Sequence, residues 1–129
     1  MTYNDVEVIY NALQGIAVDK EGKERDLKVK FKVSILKIVN ALDPEIKTIT
    51  KIRNELYQKY GEPVGEDQIQ VKEENKDLFF KDIADLYSTK SDIVLPTKFN
   101  EDEFIDVCDK NGIPLSFKDI EFCQKFLFE

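Results

Sequence analysis

The fold of this chain is decided by residues 27–60, which read LKVKFKVSILKIVNALDPEIKTITKIRNELYQKY. Apolar side chains recur there at steps of three, four or seven residues: Phe31, Ile35, Ile38, Leu42, Ile49, Ile52 and Leu56. A helix gathers that spacing on one face, whereas a strand does not, because its side chains alternate between two faces. The spacing therefore predicts one long helix, or two collinear ones, with an apolar seam that other elements must cover.

Pro44 lies in the middle of this segment. Proline has no amide hydrogen and clashes with the preceding turn, but it suits the first position of a helix, and Asp43 before it is a good N-cap. The apolar stripe keeps its phase from Leu42 to Ile49, so we expect a kink at Pro44 and not a reversal of direction. Gly61 is expected to end the helix.

Shorter elements surround the long helix. Helical patterns cover residues 4–18, 76–88, 100–111 and 116 to nearly the C-terminus, with Asn4, Asn75, Asn100 and Ser116 as the expected N-caps. Alternation of apolar and polar residues predicts a short strand over 68–72, with 92–95 as its partner. The predicted fold class is mainly α with a minor β element. A long kinked helix packs against shorter helices, beside a short two-stranded antiparallel or mixed β pair.

Two of the shorter helices carry faces that we expect to be buried. In the helix over 76–88 the expected face is Leu78, Phe79, Ile83, Leu86 and Tyr87. In the last helix one apolar stripe is Phe117, Ile120, Cys123 and Leu127, and Phe122 and Phe126 form a second. A helix that is apolar on two sides needs two covers.

Composition predicts a single compact domain over residues 1–129. The chain is 42% hydrophobic and 35% charged, which is too apolar for a disordered protein and too polar for a membrane protein. No apolar run approaches the length of a membrane span, and the N-terminus lacks the pattern of a signal peptide, so we expect a cytoplasmic protein with no membrane partner. Cys108 and Cys123 lie on apolar helical faces and are expected to be free, buried thiols.

Charge is divided unevenly along the chain. Residues 1–61 carry a net charge of +2 and residues 62–129 a net charge of −9. An acidic balance argues against direct binding of nucleic acid, which depends on clustered Lys and Arg. The acidic half is either a solvated surface or a face that docks a basic partner.

No catalytic or cofactor pattern is present. The chain has no histidine, and its five scattered glycines form neither a phosphate-binding loop nor a dinucleotide fingerprint. Asp102, Asp106 and Asp109 share one helical face and could present carboxylates to a hard cation, although a solvated polar face is the commoner use of such spacing. We therefore expect no enzyme activity, no cofactor and no metal.

Two groups of side chains are candidates for contact with a partner. Lys37, Lys47 and Lys51 lie away from the apolar seam, where they form either a hydrated outer face or a basic strip. Phe122, Phe126 and Phe128 must be covered, because fully burying one Phe is worth roughly 2 to 3 kcal/mol. Their cover is either the long helix of the same chain or another subunit or partner, so a homo-oligomer is one expectation.

The order of segments resembles a family of small phage and prophage proteins. The resemblance spans most of the chain after residue 27 and rests on layout and on three short patterns: Lys59-Tyr60-Gly61-Glu62, Phe79-Phe80, and Gly112-Ile113-Pro114-Leu115-Ser116. It implies a viral or prophage origin and action in the host cytoplasm or in the virion.

Two functions follow as hypotheses. The first is a non-enzymatic phage accessory protein that acts through protein contacts, with itself, with a virion or replication component, or with a host protein. The second is an acidic inhibitor of a host nucleic-acid enzyme or defence system, whose carboxylates mimic a phosphate track. The mimic requires a shared face for Glu73, Glu74, Asp77, Asp85, Asp102 and Asp106.

Overall fold

A computed structural model describes all residues, 1–129, as five α-helices and one two-stranded antiparallel sheet. The helices are α1 (Tyr3–Ala17), α2 (Val29–Tyr60), α3 (Lys76–Ser88), α4 (Glu101–Lys110) and α5 (Phe117–Phe126). The strands are β1 (Gly61–Gly65) and β2 (Gln68–Val71), and a 3₁₀ turn over Glu73–Asn75 precedes α3. The mainly helical class, with one long helix and a small β pair, is therefore confirmed.

Helix α2 continues through Pro44 without interruption. The prediction of a new helix start with Asp43 as its cap is therefore wrong, whereas the prediction that the chain does not reverse is confirmed. Pro44 has no N–H to give to the helical ladder, but its own carbonyl accepts a hydrogen bond from the Thr48 hydroxyl at 3.1 Å. The kink stays a prediction.

The β pair is a hairpin that forms directly after α2. Gly61 pairs with Val71 and Pro63 with Ile69 in antiparallel register. The prediction that residues 92–95 pair with β2 is wrong, because β2 pairs with β1. A turn through Asp67, whose φ is +59°, connects β1 to β2 at once, and closing so short a loop costs less entropy than closing one around a helix. The low β-propensity of Gly and Pro hid β1 from sequence reasoning.

Two of the four predicted N-caps are confirmed. The side chain of Asn100 accepts from the Glu103 amide at 3.0 Å, and Ser116 forms a reciprocal capping box with Asp119. Asn4 is not a cap, because α1 begins at Tyr3 and Thr2 exchanges hydrogen bonds with Asp5 instead.

Asn75 occupies the N-cap position of α3 but makes no capping hydrogen bond with its side chain. Its Nδ2 donates to the Tyr60 carbonyl at 3.2 Å instead. The 3₁₀ turn over Glu73–Asn75 runs directly into α3, and the side chain of Asn75 thereby ties α3 to the end of α2.

The chain divides into two compact units. The first unit comprises Met1–Val8 and Leu42–Ile93, and the second comprises Ile9–Ala41 and Val94–Glu129. The apolar core of the first is Val6, Leu42, Ile49, Tyr60, Phe79 and Leu86. The core of the second includes Ile9, Leu13, Ile16, Phe31, Ile35, Ile38, Phe99, Phe104, Cys108, Leu127 and Phe128. A single domain stays a prediction.

Two side chains that were expected to be buried are exposed. Leu78 is 55% exposed, because the core face of α3 is set by Phe79 and Leu86, which lie two turns apart on another side of the helix. Phe117 is 89% exposed, because it is the first residue of α5 and lies at the open end of the helix.

Candidate binding surface

The N-terminal part of α2 carries an apolar stripe that the chain does not cover. Val29 is 74% exposed, Val33 42% and Leu36 57%. Their spacing of four and three residues places them on one face of the helix, whereas Phe31 and Ile35 point into the core of the second unit. We call Val29, Val33 and Leu36 the α2 stripe.

Lysines flank the α2 stripe. At about 100° per residue, Lys32 falls on one side of the stripe, Lys30 and Lys37 fall on the other, and Lys28 precedes the first turn. All four side chains are exposed and none forms an ion pair. No acidic residue occurs between Leu27 and Leu42, although the whole chain has a net charge of −7.

A groove of about 130 Å³ opens beside the α2 stripe, on its Lys32 side. Its apolar lining comes from Ala17, Val18, Leu27, Ile35 and Leu36. Lys32, Arg25 and Glu24 supply its polar lining. Arg25 donates to the Asn111 carbonyl at 3.3 Å, and neither Arg25 nor Glu24 forms an ion pair, so the formal charges of these two lining residues cancel.

The C-terminal phenylalanines are covered to different extents by the chain itself. Phe128 is 4% exposed, and its ring packs edge to face on Phe104 with the centroids 5.2 Å apart. Phe122 and Phe126 are half-buried and pack on each other at 4.9 Å, and the Lys125 ammonium lies 5.1 Å from the centre of the Phe126 ring. Phe128 is therefore a core residue, and only Phe122 and Phe126 offer surface to a partner.

The three candidate lysines of α2 do not form one set. Lys37 flanks the α2 stripe in the second unit, whereas Lys47 and Lys51 belong to the first unit. Lys47 pairs with Asp43 at 3.1 Å, and Lys51 is exposed and unpaired. Only Lys37 therefore lies beside an exposed apolar face that a partner could cover.

The carboxylates that were considered for metal binding or charge mimicry lie on exposed surface. Asp102, Asp106 and Asp109 are exposed, and Asp106 pairs with Lys110 at 2.9 Å. In the first unit Glu73 pairs with Lys76 at 2.6 Å. No group of three or more His, Cys, Asp or Glu side chains is arranged to hold a metal ion.

A polar network links α1, α2 and α3 in the first unit. The Arg53 Nη1 donates to Glu7 Oε1 at 3.3 Å and to the Tyr87 hydroxyl at 3.0 Å. Glu7 Oε2 is buried without a partner. Burial raises the pKa of Tyr87, and the neighbouring Glu7 adds to the rise. The network fastens the three helices together.

We expect R53M to lower the free energy of unfolding by about 1 to 2 kcal/mol, because Glu7 and Tyr87 would lose their donor while half-buried. K47M is the matched control, since it removes an ion pair of the same helix whose Lys side chain is 77% exposed. Its effect should stay within about 0.5 kcal/mol in the same urea titration. Equal losses in the two variants would show that the network contributes no more than an exposed pair.

Cys108 and Cys123 are free and buried, as expected. Burial, with smaller contributions from Cys108 and Asp119, raises the pKa of Cys123 to about 11. Burial also raises the pKa of Cys108. Because the thiolate is the reactive form, these are inert packing residues of the second unit and not candidate nucleophiles.

We expect neither thiol to react with an aromatic disulfide reagent at pH 8 in the folded protein, and both to react in denaturing urea. The raised pKa values also predict that stability is lost as pH rises from about 9 toward 11, because the unfolded chain releases thiol protons first. Labelling counted by mass spectrometry checks the first point. A thiol that reacts within seconds in the folded protein would contradict the assignment.

Comparison of the chain with protein-family models, with curated proteins and with solved structures found no match. None of the helices combines the length and the apolar character needed to cross a membrane. The α2 stripe, the lysines beside it and the adjoining groove are therefore the features on which a function must be argued.

Proposed function

We propose that this chain is a non-enzymatic accessory protein of a phage or prophage, which acts through protein contacts in the host cytoplasm or the virion. The α2 stripe is the observation that carries the contact function. Exposed apolar side chains grouped on one face mark interaction sites more often than scattered ones do. The resemblance in segment order supports the phage origin.

The free-energy cost of leaving the apolar α2 stripe in water supports this proposal. Helix α2 needs only its buried face to pack in the second unit, yet Val29, Val33 and Leu36 add a second apolar face that meets water. Covering the three would remove apolar surface from water at about 25 cal/mol per Å². A partner that covers them would gain binding energy without any rearrangement of the helix.

Site-specific photo-cross-linking tests the contact function. Benzoylphenylalanine is placed at position 33 of the full chain, and at position 51 as a control on the same helix, in the cells that express it. We expect a discrete adduct from position 33 that is absent from position 51 and is lost in a V29S/L36S background. No adduct at position 33, or the same adducts at both positions, would refute the assignment of the contact to the α2 stripe.

A further inference from the structure

We infer that the partner of the α2 stripe is an acidic amphipathic helix of another protein, whose apolar face covers the stripe and whose carboxylates meet the flanking lysines. This inference rests on the proposed contact function and adds the chemistry of the partner. Three observations support it: the length of the α2 stripe, the lysines beside the stripe that form no ion pair, and the adjoining groove.

The shape of the surface selects a helix. Leu36 lies seven residues after Val29, or about 10 Å further along the axis of α2, which matches two turns of a helix lying beside it. A partner helix with apolar residues at positions i, i+3 or i+4, and i+7 presents a stripe of the same length. The groove beside Leu36 accepts one of those side chains, because Ala17, Val18 and Leu27 line it with apolar atoms.

The charge of the surface selects an acidic partner. Lys30 and Lys37 line one side of the α2 stripe and Lys32 the other, with Lys28 near the helix start, and all four lack ion pairs. Acidic side chains that flank the partner's apolar face would meet these lysines on both sides. Two carboxylates oppose this arrangement: Glu24, which lines the groove, and the exposed Asp26, two residues before Lys28.

Other classes of partner fit less well. Phosphates of nucleic acid would pair with the lysines, but they would also lie against Val29, Val33 and Leu36. Those three side chains would then gain no free energy from apolar contact. A membrane surface is flat on this scale and leaves the groove unfilled, and the stripe lacks the Trp and Phe typical of interfacial helices.

A second copy of the chain offers no matching helix. Its acidic helix α4 has no exposed large apolar side chain, because Phe104 and Cys108 are buried and Ile105 and Val107 are partly buried. Two other helices carry net negative charge. In α1 the exposed large apolar side chain is Val8 alone, which is too little to cover a stripe of three residues. In α3 the exposed Leu78 and Phe80 are two residues apart and point in different directions. The partner is therefore a different chain.

Selection from a displayed library of random 16-residue peptides on the full-length protein tests the inference. Counter-selection on V29S/V33S/L36S removes peptides that bind elsewhere. We expect the enriched peptides to carry net negative charge and apolar residues at helical spacing. For a synthesised winner, K30E/K32E/K37E should weaken binding at least about tenfold, as should 0.5 M NaCl, whereas K51E should change it less than about twofold.

The outcomes separate the inference from the proposed function. Neutral or basic peptides that still require the α2 stripe would overturn the acidic helix and leave the contact function standing. If no enriched peptide depends on the α2 stripe, and position 33 gives no cross-link, both the acidic helix and the proposed contact function are refuted. Flotation with phosphatidylglycerol vesicles that is lost in V29S/V33S/L36S would overturn the inference in favour of a membrane. A dimer in sedimentation analysis that the same variant dissociates would overturn it in favour of a second copy.

Discussion

F104A should lower the free energy of unfolding by about 3 to 5 kcal/mol, the largest effect that we expect from a single substitution in this chain. Phe104 is 2% exposed and lies at the centre of an aromatic cluster in the second unit. Its ring centroid is 5.2 Å from those of Phe99 and Phe128 and 6.1 Å from that of Phe31. Truncation to Ala would remove contacts with all three rings and leave a cavity that the helices can only partly close.

F117A provides a matched control for F104A. It makes the same chemical change in α5, at a side chain that is 89% exposed. We expect its effect on the free energy of unfolding to stay within about 0.5 kcal/mol. Urea titrations followed by circular dichroism would measure the free energy of unfolding of both variants. The dependence of that free energy on urea concentration should be the same in both variants and in wild type. Similar losses from F104A and F117A would contradict the position of Phe104 in the core.

G61A should destabilise the protein by about 1 to 3 kcal/mol, because no space is left for a methyl group at the junction of α2 and β1. A Cβ on Gly61 would collide with the Ile69 side chain and would lie 2.5 Å from the Tyr57 carbonyl oxygen. Since that oxygen belongs to the backbone of α2, the contact could be relieved only by moving the hairpin away from the helix end.

G15A makes the same change where there is room for it. Gly15 is in α1, and a Cβ there would meet nothing within 4 Å. We expect G15A to raise the free energy of unfolding by about 0.5 to 1 kcal/mol, because Ala is the better helix former. The two Gly to Ala changes should therefore have opposite signs in the same urea titration. A gain from G61A would refute the close packing of β2 against the helix end.

The buried faces of α2 and the ends of the helices at Tyr60 and Lys110 could be predicted from sequence, because periodicity and glycine stops are local signals. Strand β1, the hairpin partner of β2, could not be predicted from sequence. Gly61 and Pro63 disfavour strands, and only the turn at Asp67 brings β1 and β2 together. Phe128 could not be placed either. It follows α5, and its burial depends on an isolated bridge to Phe99, which lies far away in sequence.

The α2 stripe could not be predicted from sequence either, for a different reason. Val29 and Val33 alternate with lysines, and both lie outside the apolar seam that begins at Phe31. On a helix this segment has two apolar faces, one with Phe31 and Ile35 and the other with Val29, Val33 and Leu36. The lysines that separate the two faces are the sequence feature that indicates a second face. Sequence alone did not show which face the rest of the chain would cover, because that depends on where α4 and the aromatic cluster pack.

The measurement that tests this account most directly compares wild type with V29S/V33S/L36S in two assays, urea unfolding and cross-linking from position 37. We predict that the variant keeps its free energy of unfolding within about 1 kcal/mol of wild type, because the changed side chains are exposed, while its cross-linked partner disappears. A variant that folds as well as wild type and still cross-links to the same partner would contradict the claim that this protein works through the exposed face of α2.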